Sequence, residues 1–206
     1  MDDQFPCALL VLAAGASRRM GRPKQLLPIG NRALLRQVVE ASIAFGAIHT
    51  IVVLGSHAEE IKPILTGLPV HVIVNDGWKE GMGSSIRMGM EAILKLAPET
   101  GGVVIALGDQ PDFSAAHLVR LIATHRETGR SIVASRYGPN LMPPVFFSPA
   151  HFPALAGLRG DAGAKDLLQA KRDEVAAVVT EDPGDLDTPA DYADYLKRRG
   201  DRLSEN

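Results

Sequence analysis

The stretch Cys7-Ala8-Leu9-Leu10-Val11-Leu12-Ala13-Ala14-Gly15-Ala16-Ser17-Arg18-Arg19-Met20-Gly21-Arg22-Pro23-Lys24 changes character part-way along. Its first seven residues form an unbroken apolar run of strand length, the pattern of a strand buried on both faces. The residues after it form a loop in which small side chains meet four positive charges, Arg18, Arg19, Arg22 and Lys24. Small residues let the backbone approach a ligand closely, and the charges favour an anionic one. The spacing fits neither the P-loop pattern G-x-x-x-x-G-K-[ST] nor the dinucleotide pattern G-x-G-x-x-G. A solvated basic loop has the same composition, so these residues alone leave both a phosphate cradle and an ordinary surface loop open.

Working outward, four more short apolar runs read as buried strands: Thr50 to Leu54, Val70 to Val74, Val103 to Leu107 and Ser131 to Ala134. Helical spacing fills the gaps. Leu34, Val38, Val39, Ile43 and Ala44 share one helix face with Gly46 as its stop, Ile86, Met90, Ile93 and Leu94 share a second, and Leu118, Leu121 and Ile122 a third. Alternating strands and helices predict an α/β fold, a Rossmann-like sandwich whose mostly parallel central sheet carries helices on both faces. Ligands of such sheets bind beyond the carboxyl ends of the strands, so the residues just after each apolar run are the ones to inspect. Gly138 to Ser148, with Pro139, Pro143 and Pro144, reads as an extended excursion outside this rhythm. Asp161 to Ala170 reads as a capped helix, and Arg198 to Asn206 as a frayed end of a single domain spanning 1–206.

Composition limits the partners. With 206 residues and 46% hydrophobic content the chain can bury one substantial core, and 22 basic against 24 acidic side chains leave a net charge of -2. That balance provides no field to gather nucleic acid or an anionic membrane, so a bound nucleotide has to be held by a local cluster. Cys7 is the single cysteine, has no internal disulfide partner, and sits in an apolar run as a small buried hydrophobe. Asp2 and Asp3 stand where a secretory signal carries positive charge, and no apolar run approaches the roughly 18 residues of a membrane span. A soluble, cytoplasmic protein is expected.

The segment Leu12 to Lys24 resembles the signature L-A-A-G-x-S-x-R-M-G-x-x-K of the molybdenum cofactor nucleotidyltransferases, most closely their cytidylyltransferase branch. The resemblance continues through Glu80-Gly81-Met82-Gly83-Ser84-Ser85, Gly108-Asp109-Gln110-Pro111, Leu158 to Lys165, and Asp185-Leu186-Asp187-Thr188-Pro189-Ala190-Asp191-Tyr192. It implies a sandwich of the nucleotide-diphospho-sugar transferase type. It further implies that Leu12, Ala13, Ala14, Gly15, Arg19, Lys24, Ser84 and Ser85 bind the nucleotide, with Arg19 and Lys24 on the triphosphate and the backbone around Leu12 to Ala14 near the base. Lys24, Arg19 and Asp109 would be the catalytic groups, Asp109 and Asp187 the magnesium ligands, and Asp161 and Lys165 the contacts to the acceptor. The implied activity transfers CMP from CTP to molybdopterin with release of pyrophosphate, for delivery to a molybdoenzyme.

Such chemistry suits this inventory. A phosphomonoester has a second pKa of about 6 and is already largely dianionic at neutral pH, so no general base is required. Bringing two anions in line is then a task for cations and for magnesium, which takes few protein carboxylates. Each residue also has a plainer reading. Asp109 could end a strand, Asp185 or Asp187 could cap a helix starting near Pro189, Ser84 and Ser85 could cap theirs, and Asp161 could cap the helix containing Lys165. Trp78 reads as a loop anchor or a stacking platform, and the six histidines carry no assignment. The chain departs from the family pattern on the acceptor side. Met142-Pro143-Pro144 stands where many cytidylyltransferases have Gly-His-Pro, and Lys165 where arginine is frequent. A related transferase acting on another phosphorylated small molecule, a guanylyltransferase, whose loop usually has Gly-Gly in place of Ala14-Gly15, and a non-catalytic cofactor-binding protein are the alternatives.

Overall fold

A computed structural model describes residues 5–180 and 186–204. Asp185, one of the two acids considered as a metal ligand, lies outside the described residues. In chain order the elements are β1 (Cys7–Ala13), β2 (Pro28–Ile29), β3 (Arg32–Ala33), α1 (Leu34–Phe45), β4 (Thr50–Leu54), α2 (Ala58–Ile61), β5 (His71–Val74), α3 (Met82–Leu96), β6 (Gly102–Leu107), α4 (Ala115–Thr128), β7 (Ile132–Tyr137), β8 (Asn140–Phe147), α5 (Phe152–Ala156), α6 (Ala164–Ala170), β9 (Val175–Val179) and α7 (Pro189–Ser204).

Seven strands form one sheet in the order β5-β4-β1-β6-β8-β7-β9. Only β8 runs against its neighbours; β1 is parallel to β4 and β6, β4 to β5, and β7 to β9. The apolar run of β1 is buried on both sides, as its sequence predicts. Cys7, Leu9, Val11 and Ala13 join a cluster with Leu35, Val38 and Val39 of α1 and Leu118 and Leu121 of α4. Ala8, Leu10 and Leu12 face the opposite layer, with Ile86, Met90 and Ile93 of α3, Leu155 of α5 and Leu168 of α6. The mostly parallel α/β architecture with helices on both faces is thus the one the alternation implied.

Two readings of the sequence need correction, and one strand has to be added. Gly138 to Ser148 is no excursion, because β8 inserts between β6 and β7 and buries Phe146 and Phe147 completely. Its prolines fall where the ladder breaks: the register with β7 passes from Ala134 opposite Val145 to Ser135 opposite Met142, leaving Pro143 and Pro144, which have no N–H to donate, in the irregular step. The helix after Asp161 begins only at Ala164. Its start is secured by Asp166, whose Oδ2 accepts from the Gly163 N–H at 2.8 Å, so Asp161 is not its cap. The strand β9, Val175-Ala176-Ala177-Val178-Val179, has no counterpart in the sequence reading, although its apolar run is as long as that of Thr50 to Leu54.

A polar chain running inward from the exposed Arg120 to the buried His117 and Ser135 braces the irregular step. Arg120 donates to His117 Nδ1 at 2.8 Å, which makes Nε2 the protonated nitrogen facing Ser135 Oγ at 2.7 Å, and Ser135 Oγ donates to the Pro144 carbonyl at 2.8 Å. Burial, reinforced by the neighbouring Arg120 charge, pushes the His117 pKa down to about 4. An unfolded chain, with its histidine near 6.5, takes up this proton first as the pH falls, so the stability contributed by neutral His117 is complete above about pH 6.5 and is lost towards about pH 4. Denaturant titrations across that window are expected to show falling stability in the wild type and a shallower fall in His117→Gln, which cannot take up the proton; equal slopes would exclude His117 as the group responsible.

Candidate active site

The chain leaves β1 towards β4 and β5 on one side and returns through β6 on the other, so the strand order reverses between β1 and β6. A crevice opens at such a reversal, beyond the carboxyl ends of the strands. Here it is a cleft of about 480 Å3, lined by Leu12 to Arg18 at and beyond the end of β1 and Leu107 to Asp109 at and beyond the end of β6, with Lys24, Gln25, Trp78, Met82, Ser85 and Asp161 around it.

The basic loop is folded by its own polar groups. Ser17 takes a left-handed φ of 51°, its carbonyl accepts from the Met20 and Gly21 N–H groups, and its Oγ accepts from the Lys24 N–H at 3.1 Å. Gln25 is buried and donates from Nε2 to the carbonyls of Ala13 at 3.0 Å and Gly15 at 3.2 Å. Those contacts occupy two acceptors that would otherwise repel an anion in the cleft.

Charge converges where the loop meets β6 and α7. Lys24 Nζ donates to Asp109 Oδ2 and, at 3.2 Å, to Asp187 Oδ1, while Arg19 donates to Asp187 Oδ2 at 2.7 Å. Lys24 and Asp109 are largely withdrawn from solvent, whereas the Arg19 side chain is 70% exposed. Burial pulls the Lys24 ammonium down, but the Asp109 carboxylate and then that of Asp187 outweigh it, holding its pKa above the ordinary lysine value. Lys24 is therefore a full positive charge at neutral pH.

The helix α7 sets where Asp187 stands. Asp191 Oδ2 accepts from the N–H groups of Asp187 at 3.2 Å and Thr188 at 2.7 Å, and the Asp191 N–H donates back to Thr188 Oγ1. Thr188 and Asp191 thus cap the helix, which corrects the reading of Asp187 as a cap and frees its carboxylate. Further along, Tyr192 donates to the Pro28 carbonyl at 2.6 Å and Tyr195 to Asp112 Oδ1 at 3.2 Å. These bonds strap α7 to the segment after Lys24 and to the segment after Asp109.

On the far wall Ser84 and Ser85 are buried and both accept from Asn75 Nδ2, at 2.8 and 3.0 Å. Neither is the N-cap of α3, whose first residue is Met82 after Gly81. Ser85 lines the cleft and Ser84 lies behind it, donating to the Gly81 carbonyl at 2.8 Å. The two acceptor candidates separate. Asp161 reaches the cleft because the Gly160 carbonyl accepts from the Gly83 N–H at the start of α3. Lys165 lines a second cavity of about 520 Å3 with Gln110, Met142, Pro143, Gln169 and Arg172, and Leu107 borders both spaces. Gln25, Asn75 and Tyr195 escaped the sequence reading, since nothing local distinguishes a polar residue with long-range partners from one facing water.

The residues present suit a hard divalent cation. Asp109 Oδ1 is buried with no hydrogen-bond partner among the described residues, and Asp187 lies across the same ammonium. Among the described residues no group of three or more His, Cys, Asp or Glu side chains gathers as a closed metal cage. Two carboxylates beside a basic loop match an ion that takes few protein carboxylates and keeps other oxygen ligands in its shell.

The family model for the MobA-like NTP transferase domain matches residues 9–175. The chain belongs to the MobA-like NTP transferase family. It is a nucleotidyltransferase by that membership. Among its relatives, PucB, the purine catabolism protein of Bacillus subtilis, is 32% identical over 201 residues, covering 91% of this chain and 94% of that one. The protein named nicotine blue oxidoreductase from Paenarthrobacter nicotinovorans is 34% identical over 178 residues, covering 82% and 85%. The crystal structure of Rv0371c from Mycobacterium tuberculosis superposes with a TM-score of 0.82 at 31% identity over 93% of this chain and 97% of that chain, and the same protein has been solved in complex with manganese.

In this MobA-like chain the width of the cleft depends on one close approach. A Cβ at Gly55 would lie 2.7 Å from Trp78 Cβ and 2.8 Å from both Cβ and the backbone oxygen of Ala14, so two walls of the cleft meet at a glycine. Gly55→Ala has to push the Ala14 loop and Trp78 apart, and a destabilisation of about 1–3 kcal/mol is expected together with severalfold weaker nucleotide binding. Thermal melting and the fluorescence of Trp78, the single tryptophan, read both effects, and unchanged values would mean that the contact does not shape the site.

Proposed function

We propose that this MobA-like enzyme transfers CMP from CTP to a molybdopterin-type molybdenum cofactor, with magnesium as the divalent ion and pyrophosphate as the leaving product. The observation that carries the reading is the convergence of Lys24, Asp109 and Asp187 at the mouth of a cleft floored by the small-residue loop. An acceptor phosphate needs no base, so the work of the site is holding like charges together. Lys24 and Arg19 supply positive charge to the triphosphate, and Gly15 admits its oxygens close to the backbone. Asp109 and Asp187 would hold magnesium, whose chemistry is to neutralise charge on the phosphates. The reading of a divalent cation is supported by the manganese complex of Rv0371c. Leu12, Ala13, Ala14, Ser84 and Ser85 are assigned to the base side, and Asp161 and Lys165 to the acceptor side. The product would pass to a molybdoenzyme.

The preference for CTP rests on Ala14, which lines the cleft and packs closely at Gly55, where it adds a methyl that a glycine would lack. Narrowing a pocket by such a group discriminates by about 1–3 kcal/mol, or roughly 10–200-fold. Pyrophosphate release measured with each of the four nucleoside triphosphates, with molybdopterin or with sugar phosphates as acceptor, is expected to favour CTP by at least about tenfold over GTP. Equal rates with GTP would overturn the cytidylyl reading. Turnover with a sugar phosphate and none with molybdopterin would overturn the acceptor. Because one relative is named an oxidoreductase, NADH and NADPH oxidation belong in the same assay.

Metal ligation is checked separately. Asp109→Asn keeps the volume of the side chain and removes its charge, so the magnesium midpoint of turnover is expected to rise by at least about tenfold, equivalent to about 1.4 kcal/mol, while circular dichroism stays native. Asp187→Asn should act on the same ion and combine non-additively with Asp109→Asn. A wild-type magnesium midpoint in Asp109→Asn would remove Asp109 from the site.

A further inference from the structure

Of the four oxygens on Asp109 and Asp187, three are already taken by the protein's own cations: Lys24 holds Asp109 Oδ2 and Asp187 Oδ1, and Arg19 holds Asp187 Oδ2. Only Asp109 Oδ1 is without a partner among the described residues, and it is buried. Two negative charges thus face two positive ones, and the cluster is neutral before any ligand arrives. Lys24 lines the cleft, as does Arg18, while Arg19 on the same loop is exposed and reaches the cluster through the Asp187 carboxylate that Lys24 also holds, so both cations of the cluster can turn to a triphosphate.

We infer that Lys24, aided by Arg19, is an internal counter-ion that occupies the divalent-cation site of the free enzyme and gives it up when a triphosphate draws the two side chains away. The inference rests on the assignment of Asp109 and Asp187 as the metal-binding carboxylates. Its physical content is competition. A divalent ion binding to the free enzyme has to displace an ammonium and a guanidinium from the carboxylates, and it gains little from a site whose charge is already balanced. A triphosphate offers those cations other anionic partners, leaves both carboxylates uncompensated, and so raises the affinity for the metal. By linkage the metal raises the affinity for the triphosphate by the same factor. Metal and nucleotide then load together, and the unpartnered Asp109 Oδ1 gains a ligand only in the loaded state.

The test uses manganese and full-length enzyme without nucleotide, following free Mn2+ by electron paramagnetic resonance. Wild type should bind weakly. Lys24→Met, which keeps the length and loses the charge, should bind Mn2+ at least about tenfold more tightly even though its turnover is lost, because the carboxylates are no longer compensated. Lys24→Arg retains the charge and should stay near the wild type, and adding Asp109→Asn to Lys24→Met should abolish the gain. Arg19→Gln, at an exposed position, should tighten Mn2+ binding severalfold and serves if Lys24→Met does not fold. Mn2+ binding to both Lys24→Met and Arg19→Gln that is no tighter than wild type overturns the inference, as does a gain that survives Asp109→Asn. The underlying assignment fails differently: Asp109→Asn would then leave the magnesium dependence of turnover unchanged.

Discussion

A single ammonium group ties the site together. Lys24 comes from the loop after β1, Asp109 from the end of β6 and Asp187 from the approach to α7, and the three segments meet around Nζ of Lys24. Because the two carboxylates are fixed from different directions, their separation depends on everything that positions those segments. The parallel pairing of β1 with β6 sets the first distance, through the register that ends with Leu12 opposite Leu107. The straps from Tyr192 to Pro28 and from Tyr195 to Asp112 set the second. Without these constraints two carboxylates near one another would repel and spread apart.

The rest of the cleft is organised so that the loop can present its charges. Gln25 and Ser17 hydrogen-bond to the loop's own backbone, and Gly55 lets the wall bearing Trp78 close on Ala14. Ligand charge, when it arrives, meets side chains that are already folded and not a loop that has to order itself, which keeps the entropic cost of binding low. The second cavity follows another logic. It lies where β8 breaks its ladder against β7, and its walls include Met142 and Pro143 in the stretch where many cytidylyltransferases carry a histidine. The two cavities therefore lie on different parts of the sheet with Leu107 as their common border, and the two residues proposed for the acceptor divide between them, Asp161 in the first and Lys165 in the second. The departures from the family pattern at Met142, Pro143 and Lys165 fall at the second cavity.

Much of this protein was legible in one dimension. The apolar run of β1 has to be buried on both faces, because every one of its seven side chains would otherwise face water, and burial on both faces requires helices above and below. The small basic loop after it had to lie at a strand end, and Asp109 after the run of β6 had to lie at another, since parallel strands bring their carboxyl ends to one edge. What the sequence could not decide were matters of partnership. Asp187 and Asp191 are both acids near the start of α7; the cap that Asp191 makes with Thr188 is local, three residues apart, but only the three-dimensional arrangement gives the ammonium to Asp187. The prolines of β8 argue against a central strand locally, yet Phe146 and Phe147 gain enough by burial to put it between β6 and β7. Local sequence determines which segments become strands, helices and charged loops because those choices depend on neighbours three or four residues away. The tertiary structure alone determines which carboxylate faces which cation, because those partners are separated by 85 and 163 residues and are joined only by the packing of the sheet and α7.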